Sequence, residues 1–131
     1  MLMEADRTQT LVTNIASLQL IEADILEIRI NPDVEIERSD VEEIIAIAEQ
    51  LGNGKKLKHL VLYGMRSLPS LEARVLLCSE FGSRFKLAEA MVVLTLSQRM
   101  IFNFMINVEK TACPSRLFTN TDDALDWLKS I

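Results

Sequence analysis

The residues of this chain that could do chemistry are few, and most of them stand alone. His59 is the single histidine and opens the apolar run His59-Leu-Val-Leu-Tyr63. Acid–base or metal chemistry would need a second imidazole, a nucleophile or a spaced cysteine pair beside it. None accompanies it, so His59 reads as a strand-end residue. Cys78 and Cys113, the only cysteines, match no metal or redox spacing and read as two reduced thiols. Glu35, Glu37, Asp40, Glu42 and Glu43 gather at a helix start, where the helix dipole favours negative charge. They read as solvated carboxylates rather than an acid–base pair. Lys55, Lys56 and Lys58 fall in a polar turn and read as a solvated loop. The chain has no Gly-x-Gly-x-x-Gly, phosphate-cradling loop or nucleophile elbow. Its four glycines leave little room for close backbone approach to a nucleotide. The expectation is no catalytic residue, no metal and no cofactor.

What must position these groups is a chain of 131 residues, the length of one domain over 1–131 with residues 1–8 as a flexible tail. The 49% apolar and 25% charged residues place it with ordinary globular proteins. A net charge of -5 argues against a non-specific nucleic-acid binder. Charges interrupt every apolar stretch, so no membrane span is expected, and the N-terminus lacks a secretory signal pattern. The expected location is cytoplasmic.

Residues 10–20 read as an extended edge segment with a bend near Ala16-Ser17. Ile25-Leu-Glu-Ile-Arg-Ile30 alternates apolar and charged residues, as a strand with one wet face does, and pairs antiparallel with its predecessor. Asn31-Pro-Asp33 breaks it. Ser39 and Glu42 form a capping box for a helix whose apolar face is Val41, Ile44, Ile45, Ala48 and Leu51, closed by Gly52 as a left-handed cap. His59–Tyr63 is a central strand. A second helix turns Leu71, Val75, Cys78 and Phe81 to one side and ends at Gly82-Ser83. Ala90–Leu96 is the next buried strand, and Ser97 caps a third helix reaching about Val108. Ser115–Phe118 is the last strand, and Asn120 or Thr121 caps the closing helix.

The resulting order, β-β-α-β-α-β-α-β-α, is an α/β fold. Its sheet is mixed, mostly parallel and four- to five-stranded, flanked by about four helices. Val61 and Val93 belong to adjacent central strands.

The third helix carries more apolar surface than one core face needs. Met100, Ile101, Phe104 and Val108 supply the core face. Phe102, Met105 and Ile106 are the surplus, which suggests a homodimer interface. Met65, Met91, Met100 and Met105 could instead line an apolar pocket.

Ile25–Ile30 before Val34-Glu-Ile36, the capped helix, and His59–Tyr63 running into Leu68-Pro-Ser-Leu-Glu-Ala-Arg74 together resemble the STAS domain. That fold is shared by bacterial anti-sigma-factor antagonists and the cytoplasmic tails of sulfate transporters. Leu117-Phe-Thr with Ala124-Leu-Asp-Trp-Leu128 is similar to its last strand and helix. The whole chain is most similar to small uncharacterised bacterial proteins with a STAS-like fold. The resemblance implies a non-enzymatic regulatory or protein-interaction module, with a partner-binding loop at Arg66, Ser67, Ser70 and Glu72. Ser70 falls where family antagonists are phosphorylated, but Pro69 stands in place of their Asp and the following Gly is absent. Ser67 and Ser70 then read as capping hydroxyls. The alternative is a carrier of a small apolar ligand or lipid, since such folds also resemble CRAL-TRIO domains.

Overall fold

The computed structural model describes residues 9–131, and the tail expected over residues 1–8 lies outside them. In chain order the elements begin with β1 (Leu11–Val12), β2 (Ala16–Glu22), β3 (Ile25–Ile30), β4 (Glu35–Ile36) and α1 (Arg38–Leu51). They continue with β5 (Leu57–Tyr63), β6 (Leu68–Pro69), α2 (Leu71–Cys78), β7 (Lys86–Val92) and α3 (Leu96–Phe104). A π-helical turn (Met105–Glu109), β8 (Ser115–Phe118) and α4 (Thr121–Lys129) complete the chain.

Six strands form one mixed sheet in the order β1-β2-β3-β5-β7-β8, one strand more than expected. The extra strand arises because residues 10–20 are two strands. The chain turns at Thr13, whose Oγ1 accepts the N–H groups of Ile15 and Ala16, rather than bending at Ala16-Ser17. β2 runs antiparallel to its neighbours, and β3, β5, β7 and β8 are mutually parallel. β5 and β7 are the central pair, with Val61 opposite Met91 and Val93 just beyond the end of β7. A separate two-stranded parallel sheet, β4 with β6, joins the segments that leave β3 and β5.

Each crossover from β3 to β8 steps one place in the same direction, so crossovers of one hand lay α1, α2 and α3 on the same face. Their buried residues, among them Val41, Ile45, Ala73, Leu76 and Phe102, pack on Ile28, Val61, Tyr63 and Met91. α4 alone covers the other face, where Ala124 and Leu128 meet Ile25, Leu60, Ala88 and Ala90.

Several local expectations are corrected. The N-cap of α1 is Glu37, whose extended backbone (φ -93°, ψ 165°) still follows β4, and Asp40 completes the capping box. Ser39 therefore already lies in the first helical turn. Gly52 keeps a right-handed φ of -89°, because the chain reversal is taken up by Asn53 and Gly54 at positive φ.

α2 turns Ala73 and Leu76 inward and leaves Leu71, Val75 and Phe81 exposed, with Cys78 half-buried. α3 starts at Thr95 rather than Ser97, with Thr95 and Gln98 forming the capping box. The Gln98 side chain is pulled inward to bond the β5–β6 loop, and that rotation buries Phe102 and Met105 while exposing Met100, Phe104 and Val108. Met100, Phe104 and Val108 of the expected core face thus lie outside and Phe102 and Met105 of the expected interface lie inside, while Ile101 and Ile106 are half-buried against the core.

Candidate functional site

The loops at the carboxyl ends of β3 and β5 are built as one unit. Gly64 follows β5 because a Cβ there would collide with the Asn31–Pro32 backbone. The Asp33 N–H donates to the Met65 carbonyl, and the Ser70 N–H donates to the Ile36 carbonyl at 2.9 Å each. Arg66 and Asp33 both adopt left-handed backbone, φ 66° and 59°. Their side chains meet in a two-pronged ion pair, Nε–Oδ1 2.6 Å and Nη2–Oδ2 3.1 Å. The Arg66 hydrogen bond holds the Asp33 carboxyl below its ordinary value.

Gln98 locks this unit from below. Its amide nitrogen donates to the carbonyls of Gly64 (2.7 Å) and Ser67 (3.0 Å). Its carbonyl oxygen accepts from the N–H groups of Leu94 and Thr95. Every position around this buried amide is filled, and the sequence signalled no more of it than a polar residue after a helix cap.

Of the candidate loop residues, Arg66 and Glu72 are exposed and Ser70 is half-buried. Ser67 is corrected: it is fully buried, with Oγ donating to the Gly64 carbonyl at 2.8 Å, so no partner reaches it. Ser70 caps α2, its Oγ accepting the Ala73 N–H at 3.1 Å. Acidic groups surround it. The neighbouring Glu35 carboxyl raises the Glu37 carboxyl above its ordinary value, an effect the Ser70 hydroxyl opposes.

Phe102 and Met105, offered above as an interface, are also corrected. Both are buried beneath α3, and the Phe102 ring lies 4.3 Å from that of Tyr63. Ile106 is half-buried. The exposed apolar surface is instead the outer side of the same helix: Leu96 (69%), Met100 (64%), Phe104 (45%) and Val108 (62%), at four-residue intervals. Leu71 and Val75 extend it onto α2. Arg74 joins the two helices, pairing with Glu109 at 2.9 Å and lying 5.8 Å from the centre of the Phe104 ring. The four methionines share no pocket: Met91 and Met105 belong to the packed core, whereas Met65 and Met100 are exposed.

Beneath α1 and α2 lies a second feature. His59 is buried inside β5 rather than at its end, opposite Glu89 of β7. A register shift opposite Leu57 and Lys58 makes Leu87 an extra residue in β7. It brings Lys86 to the face that carries Glu89, although residues three apart in a regular strand point to opposite faces. Lys86 and Glu89 form a buried ion pair at 3.2 Å. Lys58, read above as part of a solvated turn, is also buried, donating to the Ile131 carbonyl at 2.9 Å and pairing with Asp24.

Neither ring nitrogen of His59 completes a hydrogen bond among the described residues. The Phe85 backbone approaches the imidazole and favours its protonated form slightly, but without full hydrogen-bond geometry. Burial, with the Lys86 charge adding to it, lowers the imidazole to about 3. Burial likewise raises the Tyr63 phenol and both thiols, Cys78 and Cys113, so neither cysteine is an activated thiolate.

Among the described residues no cluster of His, Cys, Asp and Glu could hold a metal, and no helix is long and apolar enough to cross a membrane. No curated protein matches the chain. A solved structure of an uncharacterised protein of the DUF3478 family from Shewanella loihica PV-4, described as having a SpoIIAA-like fold, is similar at 18% identity and a TM-score of 0.61. The match covers 90% of this chain and 98% of that one, and it shows the STAS-like fold. Residues 19–131, from the middle of β2 to the C-terminus, match the sequence profile of DUF7793, a domain of unknown function, and the chain belongs to that family.

Proposed function

We propose that this chain is a non-catalytic interaction module that pairs with a second copy of itself through the outer face of α2 and α3. The observation that carries the reading is the ridge Leu96, Met100, Phe104 and Val108, exposed along the full length of α3 and its π-helical extension. The twelve helical rises from Leu96 to Val108 give this ridge a length of about 18 Å. Ridges of four-residue spacing pack into the grooves of an identical ridge at about -50°, the commonest helix crossing. A two-fold pair of the same patch is self-complementary.

Charge does not oppose the pairing. Arg74 and Glu109, at the inner border of the ridge, neutralise each other within one chain, so two copies meet without a like-charge penalty. A non-catalytic role is supported by the chemistry of the ionisable groups. The carboxylates at α1 are solvated, both thiols are held protonated, and His59 is buried without a nucleophile bonded to it.

The test is light scattering on a sizing column. Wild type is expected to run as a dimer, and Met100→Glu as a monomer that keeps the same circular dichroism spectrum and loses the concentration dependence of its melting temperature. A wild type that stays monomeric at millimolar concentration sinks the reading.

A further inference from the structure

We infer that the cleft between α1 and α2 is a binding site for a short, uncharged aliphatic molecule with one hydroxyl or carbonyl group, whose polar end meets His59. The site lies on the inner side of these helices and does not depend on the self-association proposed above. Its walls are apolar, formed by Ile36, Val41, Ile45 and Ala48, and its floor carries His59, Lys86 and Glu89. Two properties of that floor define the ligand.

The first is an unmet hydrogen-bonding demand. A buried imidazole offers one donor and one acceptor. Leaving them unpaired costs free energy that a bound hydroxyl or carbonyl would recover. Gln98, equally buried, shows the contrast, since protein groups meet both ends of its amide.

The second is charge balance. Lys86 and Glu89 neutralise one another, and His59, protonating only at about 3, is uncharged near neutrality. A carboxylate or ammonium on the ligand would lose its hydration without finding a free counter-charge. An uncharged group does not meet that cost.

Size limits the ligand further. The cavity is about 40 Å³, room for about three water-sized groups. Sites for drug-sized ligands run to hundreds of Å³. A polar head and its first few carbons fit, and a bulky lipid does not. Half-buried Ile44 and Leu77 border the cleft, so a short tail has an apolar exit between the two helices.

The single histidine makes the test direct, because its imidazole resonances report only this site. The full chain is titrated with 1-hexanol, and separately with hexanoate, while the His59 ring signals are followed by NMR. A saturating shift with 1-hexanol is expected, with hexanoate at least tenfold weaker. Ala48→Leu, which narrows the cleft, should weaken 1-hexanol at least tenfold. If that variant does not fold, Ile44→Trp at the half-buried border makes the same comparison. A shift linear in 1-hexanol without saturation overturns the inference, since the cleft then holds only water and responds to cosolvent. So does hexanoate binding as tightly as the alcohol, or a response that survives in the narrowed cleft.

Discussion

The two sides of α3 invert the usual distribution of residue types. The inner side buries a polar amide, Gln98, beside Phe102 and Met105, while the outer side presents Leu96, Met100, Phe104 and Val108 to solvent. The comparison teaches that burial here follows hydrogen-bond completion rather than apolarity. Gln98 can be inside because four backbone groups bond it, and the outer residues lie outside because the sheet has room for only one ridge of the helix. His59 is the counterpart case, a polar group equally buried whose ring completes no bond.

The sharpest way to break this comparison is to truncate one residue on the inner side of α3. Phe102→Ala should cost about 4 kcal/mol in urea denaturation, the size expected for an aromatic lost from a packed core. If it costs no more than a surface change, the assigned faces of α3 are wrong.

Next in size is Gln98→Ala, expected to lose about 3 kcal/mol in the same assay. It leaves the Ser67 carbonyl and the Leu94 and Thr95 N–H groups without this partner, while the Gly64 carbonyl keeps the Ser67 hydroxyl. The loss should be accompanied by faster amide exchange in the Gly64–Ser70 loop. A loss below about 1 kcal/mol would show that the amide merely fills space.

His59 sharpens the contrast through pH. Between 6.5 and about 3 the unfolded chain carries a proton on His59 that the folded chain excludes. Stability therefore falls as pH falls through that window, by about 2 kcal/mol at about pH 5. Between about pH 7 and pH 5, denaturation of wild type and His59→Leu should show wild type losing that amount relative to the variant, which lacks this proton-linked loss. Parallel curves would contradict the buried, neutral imidazole.

The smallest effect belongs to Ser70. Ser70→Ala removes the cap on the Ala73 N–H and should cost about 1 kcal/mol, read from the denaturation midpoint. With Glu37 and Glu72 close by in space or sequence, Ser70→Asp should be no more stable than Ser70→Ala. An aspartate that stabilised the protein would show that the site welcomes negative charge despite those neighbours.

The alternation of Ile25–Ile30 and the unbroken run at His59–Tyr63 marked these segments by themselves as strands of one mixed sheet, whereas the division of residues 10–20 into two strands was not legible. Period and helix-length spacing are local properties, and crossovers of one hand convert them into topology. Ser115–Phe118 and the Asn120 cap were equally legible, because each rests on residues adjacent in sequence.

The sites were far less legible. Which side of α3 faces the sheet depended on hydrogen bonds between Gln98 and carbonyls more than thirty residues away. The pairing of Lys86 with Glu89 depended on one extra residue in β7, set by its register against β5. Apolar residues occur all around α3, so periodicity could not choose a face. The choice belonged to long-range polar contacts and strand register, which form only when distant segments meet.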